Sequence, residues 1–133
     1  MDIKFTIDAS AGLVSYSLES VGTPDQAREF LDAITSHPDF VTGYAFLGDC
    51  RKMGPHPDTG HVRAFAKEVR SRSKTVGPCR WAMVVSNASA FTAVRLCGLL
   101  TYGSCVEFAP FIAREQAQEW LGGATSRLVF QGP

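Results

Sequence analysis

Apolar and polar side chains alternate over the first part of the chain. In residues 3–9 and again in residues 13–19 the apolar side chains recur at every second position, and the segment Ser-Ala-Gly separates the two runs. A period of two is typical of a β-strand with one buried face. Two such runs joined by a short turn predict a β-hairpin at the start of the fold.

The pattern changes to the spacing of an amphipathic helix in residues 23–38. Apolar residues recur there at i, i+3, i+4 and i+7, namely Ala27, Phe30, Leu31 and Ile34. Thr23 followed by Gln26 three residues later is the signature of a capping box, and Pro38 should end the helix. The spacing therefore predicts a helix that covers one face of a sheet.

Three further strand-helix units follow along the chain. Apolar runs predict strands at 43–49, 79–86 and 104–111, and helical spacing predicts helices at 59–73, 87–100 and 112–123, the last stopped by two glycines. The element order ββαβαβαβα predicts an α/β fold. We expect a two-layer sandwich with a mostly parallel mixed β-sheet, the N-terminal hairpin and about four helices.

Three longer stretches carry a family resemblance. They read "AREFLDAITSHPDFVTGYAFLGD", "CRWAMVVSNASAFTAVRL" and "VEFAPFIAREQAQEWLG". In element order and in local sequence they are similar to the STAS superfamily (sulfate transporter and anti-sigma factor antagonist), in particular to its small stand-alone bacterial branch. The resemblance spans about residues 2–122 and consists of fold-level signals rather than catalytic motifs.

The resemblance implies a regulatory module that is not an enzyme and that binds a partner protein in signalling. Regulatory members of the superfamily carry a phosphorylated Ser or Thr in the loop between the third strand and the next helix. "PDTG" lies at that place here, so the resemblance assigns Thr59 as the phosphoacceptor and Asp58 as the acid before it. A single threonine replaces the usual pair of hydroxyl residues, and His-Pro precedes it.

Composition narrows the class of protein further. The chain has 133 residues, of which 45% are hydrophobic, and a formal net charge of zero. Such a chain suits one domain, which we place at residues 1–122, and its neutrality does not favour nucleic acid or an anionic membrane as a partner. No apolar run reaches the length of a membrane-spanning helix, and four cysteines without a C-x-x-C pair favour free thiols in the cytoplasm.

The last residues of the chain stand apart from this domain. "SRLVFQGP" partly matches a viral protease site that is used in expression vectors. Residues 123–133 are therefore interpreted as a tail, partly vector-derived on this match, and carry no functional argument.

Charge is distributed unevenly along the domain. Residues 1–50 contain eight acidic and two basic side chains, whereas residues 51–80 contain eight basic and two acidic ones. The helix after the loop carries Arg63, Lys67 and Arg70 on its outer face. This split favours either ion pairs within the molecule or docking on an acidic partner. Self-association as a homodimer is a further expectation.

Candidate binding residues follow from these patterns. The partner surface is expected to combine the loop 49–61 with the flanking helices, and its candidates are Asp49, Arg63, Lys67, Arg70, Phe91 and Arg95. The alternative function is carriage of a small anionic or amphipathic ligand. In that case a pocket under helix 87–100 would hold the ligand, with Arg95 anchoring its head group.

The segment "GDCRKMGPHPDTGH" also contains residues with catalytic and metal-binding chemistry. Cys50 could act as a nucleophile with His56 or His61 as its base, which is the enzyme alternative. The C-x5-H-x4-H spacing around the same residues matches no standard zinc framework, so we predict no metal site. No cofactor motif is present, and no cofactor is expected.

Overall fold

The computed structural model describes the backbone of residues 3–131 and the side chains of residues 3–122. This described part of the chain contains five strands and five helices. The strands are β1 (Phe5–Asp8), β2 (Leu13–Ser17), β3 (Ala45–Asp49), β4 (Cys79–Val84) and β5 (Val106–Phe111). The helices are α1 (Pro24–Thr35), α2 (Thr59–Ser71), α3 (Ser73–Val76), α4 (Ala88–Leu100) and α5 (Arg114–Gln131).

The strands form one sheet in the order β1-β2-β3-β4-β5. β1 pairs with β2 in the antiparallel sense, and the other neighbours pair in parallel. Helices α1, α2 and α4 connect the parallel strands and contribute to one core on one face of the sheet, which we call the first face. The predicted α/β class, the mostly parallel mixed sheet and the hairpin are thereby confirmed.

The beginnings of the helices follow the capping signals of the sequence. The Thr23 hydroxyl accepts a hydrogen bond from the Gln26 N–H, and the Gln26 side chain accepts one from the Thr23 N–H, which completes the predicted capping box. Asp58 caps α2, and Asn87 caps α4. The N-terminal ends of these helices therefore lie where the sequence predicted them.

The predicted end of the last helix is wrong. α5 continues through Gly122 to Gln131, past the two glycines that were expected to stop it. Glycine lowers helix propensity by about 1 kcal/mol without excluding the helical conformation, so two glycines do not by themselves end a helix. The side chains of the predicted tail 123–133 lie outside the described residues. The one-turn helix α3 was not predicted.

The core of the first face is built around aromatic rings. Trp81 is fully buried, stacks on Phe46 with ring centroids 4.0 Å apart and lies 4.8 Å from Phe108. Its indole Nε1–H donates to the Tyr16 hydroxyl at 2.6 Å, so the one polar atom of the ring is satisfied. Phe65 of α2 meets the same indole edge to face. These contacts tie four adjacent strands to a helix.

The second face of the sheet has a smaller core and a single helix. Ala117 and Leu121 of α5 join a cluster with four sheet residues, namely Ala45, Leu47, Ala82 and Val84. α5 contacts β3, β4 and β5, and the outward side chains of β1 and β2 are polar except for Leu13, which packs against this second core. None of the described helices, α5 included, is long and apolar enough to cross a membrane.

The free edge of β5 is poorly suited to pairing with another strand. Cys79 N–H and Val85 N–H donate to the carbonyls of Cys105 and Phe111, so the odd-numbered residues of β5 bond toward β4. Pro110 therefore occupies a position that faces away from the sheet, where its missing N–H costs no ladder bond. Such an edge resists strand addition.

Replacing Gly48 with alanine should destabilise the protein. A Cβ at this position would lie 2.5 Å from the Tyr16 ring, which cannot move aside because it packs against Phe30 and Trp81. We expect Gly48→Ala to lower the free energy of unfolding by about 1–3 kcal/mol in urea denaturation. Gly54→Ala, with no atom within 4 Å of the new Cβ, is the matched control and should change it by less than about 1 kcal/mol. Equal effects of the two substitutions would contradict this packing.

Candidate functional site

The loop between β3 and α2 is held in place by the connection between β4 and α4. The Ser86 hydroxyl donates to the Arg51 carbonyl at 2.6 Å, and the Asn87 side-chain amide donates to the Met53 carbonyl at 3.0 Å. Met53 itself is buried in the first core. The loop thus follows one defined path across the carboxyl ends of the central strands.

Asp58 and Thr59 form the start of α2. The Asp58 carboxylate accepts a hydrogen bond from the His61 N–H at 2.9 Å, and the exposed Thr59 is the first helical residue. The first N–H groups of a helix and the positive end of its dipole favour negative charge at this place. The predicted helix cap is confirmed, and a phosphate on Thr59 would lie next to these groups.

A groove of about 350 Å³ lies between this loop, the start of α2 and one side of α4. Its buried and half-buried lining is largely apolar, with Val62, Ala93 and Leu96, and also includes the hydroxyl residue Ser89. Its exposed lining is more polar, with His56, Thr59 and Thr92. We call it the α2–α4 groove. An apolar floor with a polar rim is the usual composition of a protein–protein contact.

Sequence reasoning selected Phe91 and Arg95 on α4 and missed the residues of this helix that line the groove. Ser89, Thr92 and Leu96 line it at positions i, i+3 and i+7, which is one side of a helix. The signal was present, because Ser89 and Thr92 are the polar residues on one side of an otherwise apolar helix. Nothing in the local pattern could show that this side faces the loop.

Asp49 does not belong to the α2–α4 groove. Its carboxylate lies on the second face of the sheet and pairs with both Nε and Nη2 of Arg51, at 3.0 and 2.8 Å. The hydrogen bond from Arg51 lowers the pKa of Asp49 below its usual value, so the carboxylate stays charged. The expectation of one surface over residues 49–61 is therefore wrong, because the loop passes from one face of the sheet to the other.

The three predicted basic residues of α2 have two different environments. Arg63 and Lys67 are exposed. The Arg70 guanidinium donates to the carbonyls of Leu100 and Tyr102, at 3.3 and 2.9 Å. Arg70 therefore binds the carboxyl-terminal end of α4, where the helix dipole favours a cation. Its assignment to a partner surface is replaced by this structural role.

The uneven charge distribution is partly neutralised within the molecule. Arg72 pairs with Asp32 of α1 at 3.0 Å and also with Glu68, while Arg28 of α1 reaches Glu68 at 3.5 Å. The acidic and basic segments thus meet between α1 and α2. Internal pairing accounts for these side chains and leaves Arg63 and Lys67 as the exposed cations of α2.

Phe91 and Arg95 lie one turn apart on α4 and differ in burial. Phe91 is half-buried and packs against the first core, so it is not an exposed anchor. Arg95 is exposed and lines a second groove, between α4 and β5, of about 470 Å³. Leu99 and Tyr102 at its end are 74% and 83% exposed. Arg95 lines this second groove and does not line the α2–α4 groove.

A small apolar cavity lies beneath α1, α2 and α4. Its volume is about 50 Å³, and its lining includes Phe30, Val62, Val94 and Cys97. A cavity lined by such side chains stays dry. Arg95 does not line it, so the predicted pairing of an apolar pocket with an anchoring arginine is wrong.

The environment of Cys50 does not suit a nucleophile. Its side chain is fully buried, and burial, with a smaller effect of the Asp49 charge, raises the pKa of the thiol to about 12. Reactive cysteines need the opposite, a lowered pKa and access to substrate. Within residues 3–122 no group of three His, Cys, Asp or Glu side chains is arranged to hold a metal ion.

Comparisons with known proteins do not extend this description. No family model, curated protein or solved structure matches the chain. The geometry of the residues described above is therefore the basis for assigning a function.

Alkylation should distinguish the cysteines by burial. Cys50 and Cys97 have pKa values raised to about 12 by burial, so their thiolate fraction at pH 8 is negligible. Cys105 is exposed. We expect iodoacetamide to label Cys105 of the native protein first, and Cys50 and Cys97 only after unfolding in urea, as followed by peptide mass spectrometry. Fast native labelling of Cys50 would support the enzyme alternative instead.

Removing the Arg70 side-chain charge should weaken the contact between α2 and α4. Arg70→Met loses the hydrogen bonds to the last turn of α4, and we expect the free energy of unfolding to fall by about 0.5–1.5 kcal/mol. Arg63→Met removes the same charge from an exposed position on the same helix and should change it by less than about 0.5 kcal/mol. Urea denaturation of both variants measures the difference. Equal changes in the free energy of unfolding of the two variants would contradict the structural role of Arg70.

Proposed function

We propose that the protein is a regulatory interaction module of the STAS-like kind, acting without catalysis in the cytoplasm. It binds a partner protein through the α2–α4 groove and the adjoining loop residues 56–61. The observation that carries the proposal is the groove itself, which combines a recessed apolar floor with an exposed polar rim. The predicted resemblance supports the same location, since the groove includes the loop between the third strand and the next helix.

The groove and its surroundings define the chemistry of the partner. Val62, Ala93 and Leu96 offer apolar area to a side chain that inserts between the helices. Arg63, exposed one turn after Thr59 on α2, offers a cation near the rim. A partner segment with an apolar anchor and a nearby carboxylate fits both features.

Thr59 is the proposed control point of this contact. A phosphate on its hydroxyl carries about −1.5 to −2 charges at neutral pH and three acceptor oxygens. The start of α2 favours such a group, whereas the Asp58 carboxylate beside it opposes it. Since Thr59 lines the groove, the added phosphate also repels an acidic partner and covers part of the polar rim.

Carriage of a small ligand receives less support. The apolar cavity of about 50 Å³ is several times smaller than the roughly 300–1,000 Å³ of ligand pockets. A hydrocarbon group could enter only if α1, α2 and α4 moved apart. The cavity also has no cation that would hold an anionic head group, because Arg95 lies on another side of α4.

Charge substitutions at the rim should weaken partner binding. A photo-crosslinking amino acid at Thr92, exposed in the groove, should capture the partner in cells, and mass spectrometry should identify it. With the purified partner, we expect Thr59→Glu and Arg63→Glu each to raise Kd by about tenfold, which is roughly 1.4 kcal/mol. Size-exclusion chromatography of the protein alone tests whether the partner is a second copy.

Lys74→Glu is the matched control for this experiment. Lys74 is exposed on α3, and its substitution changes the net charge as Arg63→Glu does. Its Kd should stay within about twofold of the starting protein. The proposal fails if Lys74→Glu weakens binding as much as the rim substitutions, or if the crosslinking amino acid captures the partner equally well from Lys74, which lies outside the groove.

A further inference from the structure

Half of the second face of the sheet is uncovered and polar. α5 lies over β3, β4 and β5, and Leu13 at the start of β2 packs against the same core, whereas the outward positions at the other end of the hairpin are occupied by Lys4, Thr6, Ser15 and Ser17. These side chains border a trough of about 220 Å³, with Leu47 and Val84 in its lining near α5. We call it the hairpin trough. Short hydroxyl side chains and a lysine keep this half of the face open to water.

Arg51 is held in a fixed position at one end of the hairpin trough. Its Nε and Nη2 atoms donate to the two carboxylate oxygens of Asp49, and its carbonyl accepts from Ser86. A planar guanidinium paired along one edge keeps the N–H groups of Nη1 available for a second anion. Little side-chain entropy remains to be lost when a ligand binds there.

Two further cations border the hairpin trough. Lys4 lies at the hairpin, and Arg114 is the first residue of α5, so the positive end of that helix dipole is at the same place. Arg114 is close enough to Asp49 to lower its pKa, in addition to the larger effect of Arg51. The charge of Glu115, on α5, contributes to the raised pKa of Arg51, after the larger effect of Asp49. Counting Glu115, three cations face two anions, which leaves net positive charge around the trough.

We infer that the hairpin trough binds a small phosphate ester in free solution. Lys4, Arg51 and Arg114 would hold the phosphate, because guanidinium and ammonium groups form charge-assisted hydrogen bonds with its oxygens. Thr6, Ser15 and Ser17 offer hydroxyls, and Asp49 offers an acceptor for ligand hydroxyl groups. This inference is independent of partner binding in the α2–α4 groove, which lies on the first face.

The lining of the trough favours a free phosphate ester over a lipid head group. The large apolar side chains that are most exposed in the described residues are Val41, Leu99, Tyr102 and Ile112, and none of them lines the trough. A surface that docks on a lipid bilayer usually places apolar side chains next to its cations. The apolar side chains that line the trough, Phe5, Leu47 and Val84, are buried or half-buried, so the trough suits a small dissolved ligand.

Titration with inorganic pyrophosphate tests the site. At low ionic strength, amide NMR signals of Thr6, Ser15 and Ser17 should shift and saturate. Lys4→Gln and Arg114→Gln should each raise Kd by about tenfold, as expected for loss of one charge-assisted contact. Arg63→Gln on α2 removes the same charge from the first face and should leave Kd within about twofold. Folding of each variant is checked by its remaining NMR spectrum.

Three outcomes would overturn the inference. The first is the absence of saturable shifts at the hairpin. The second is an equal loss of affinity in Arg63→Gln, which would indicate general charge attraction rather than a site. The third is binding to vesicles of phosphatidylglycerol and phosphatidylcholine, measured by co-sedimentation, without binding of pyrophosphate. We expect no co-sedimentation with these vesicles.

Discussion

The stack of aromatic rings around Trp81 is the interaction on which the rest of the structure depends. Trp81 lies between Phe46 and Phe108 of the neighbouring strands, and its one polar atom is satisfied by Tyr16. The stack aligns β3, β4 and β5, and Phe65 attaches α2 to it. Large rings exclude water from the first face, and aromatic pairs add to the stability that burial of their area provides.

The small side chains on the second face follow from the same arrangement. Ala45 and Ala82 leave room for only one closely packed helix, and α5 fills it with Ala117 and Leu121. Because this helix leaves most of β1 and β2 uncovered, their outward side chains other than Leu13 are polar. The two faces therefore differ in kind. The first face has helices with a groove between them, and the second has an open polar shelf beside a single helix.

Features that depend on neighbouring residues were predicted from the sequence. Contacts between residues far apart in the chain were not. Strand alternation, helical spacing and the capping box at Thr23 involve neighbours within a few positions, and the structure confirms them. The bonds of Arg70 to the end of α4 join residues about thirty positions apart, and no local pattern encodes them. The position of Asp49 was readable in principle. Strand alternation places it on the same face as Leu47 and opposite to Phe46, but the run is apolar throughout and hides the two faces.

The loop after β3 joins the two candidate surfaces physically. Its first residue in the turn, Arg51, borders the hairpin trough, and its last residues, from His56 to Thr59, border the α2–α4 groove. Between them, Met53 is anchored in the core and its carbonyl is bound by Asn87. Because the loop is fixed at Met53, both of its ends keep defined positions at the carboxyl edge of the sheet. The cysteine, histidine and aspartate residues of this loop are thus better explained by their positions in the fold than by catalysis. Burial keeps the Cys50 thiol away from substrates. The exposed residues on either side of Cys50 lie on opposite faces of the sheet.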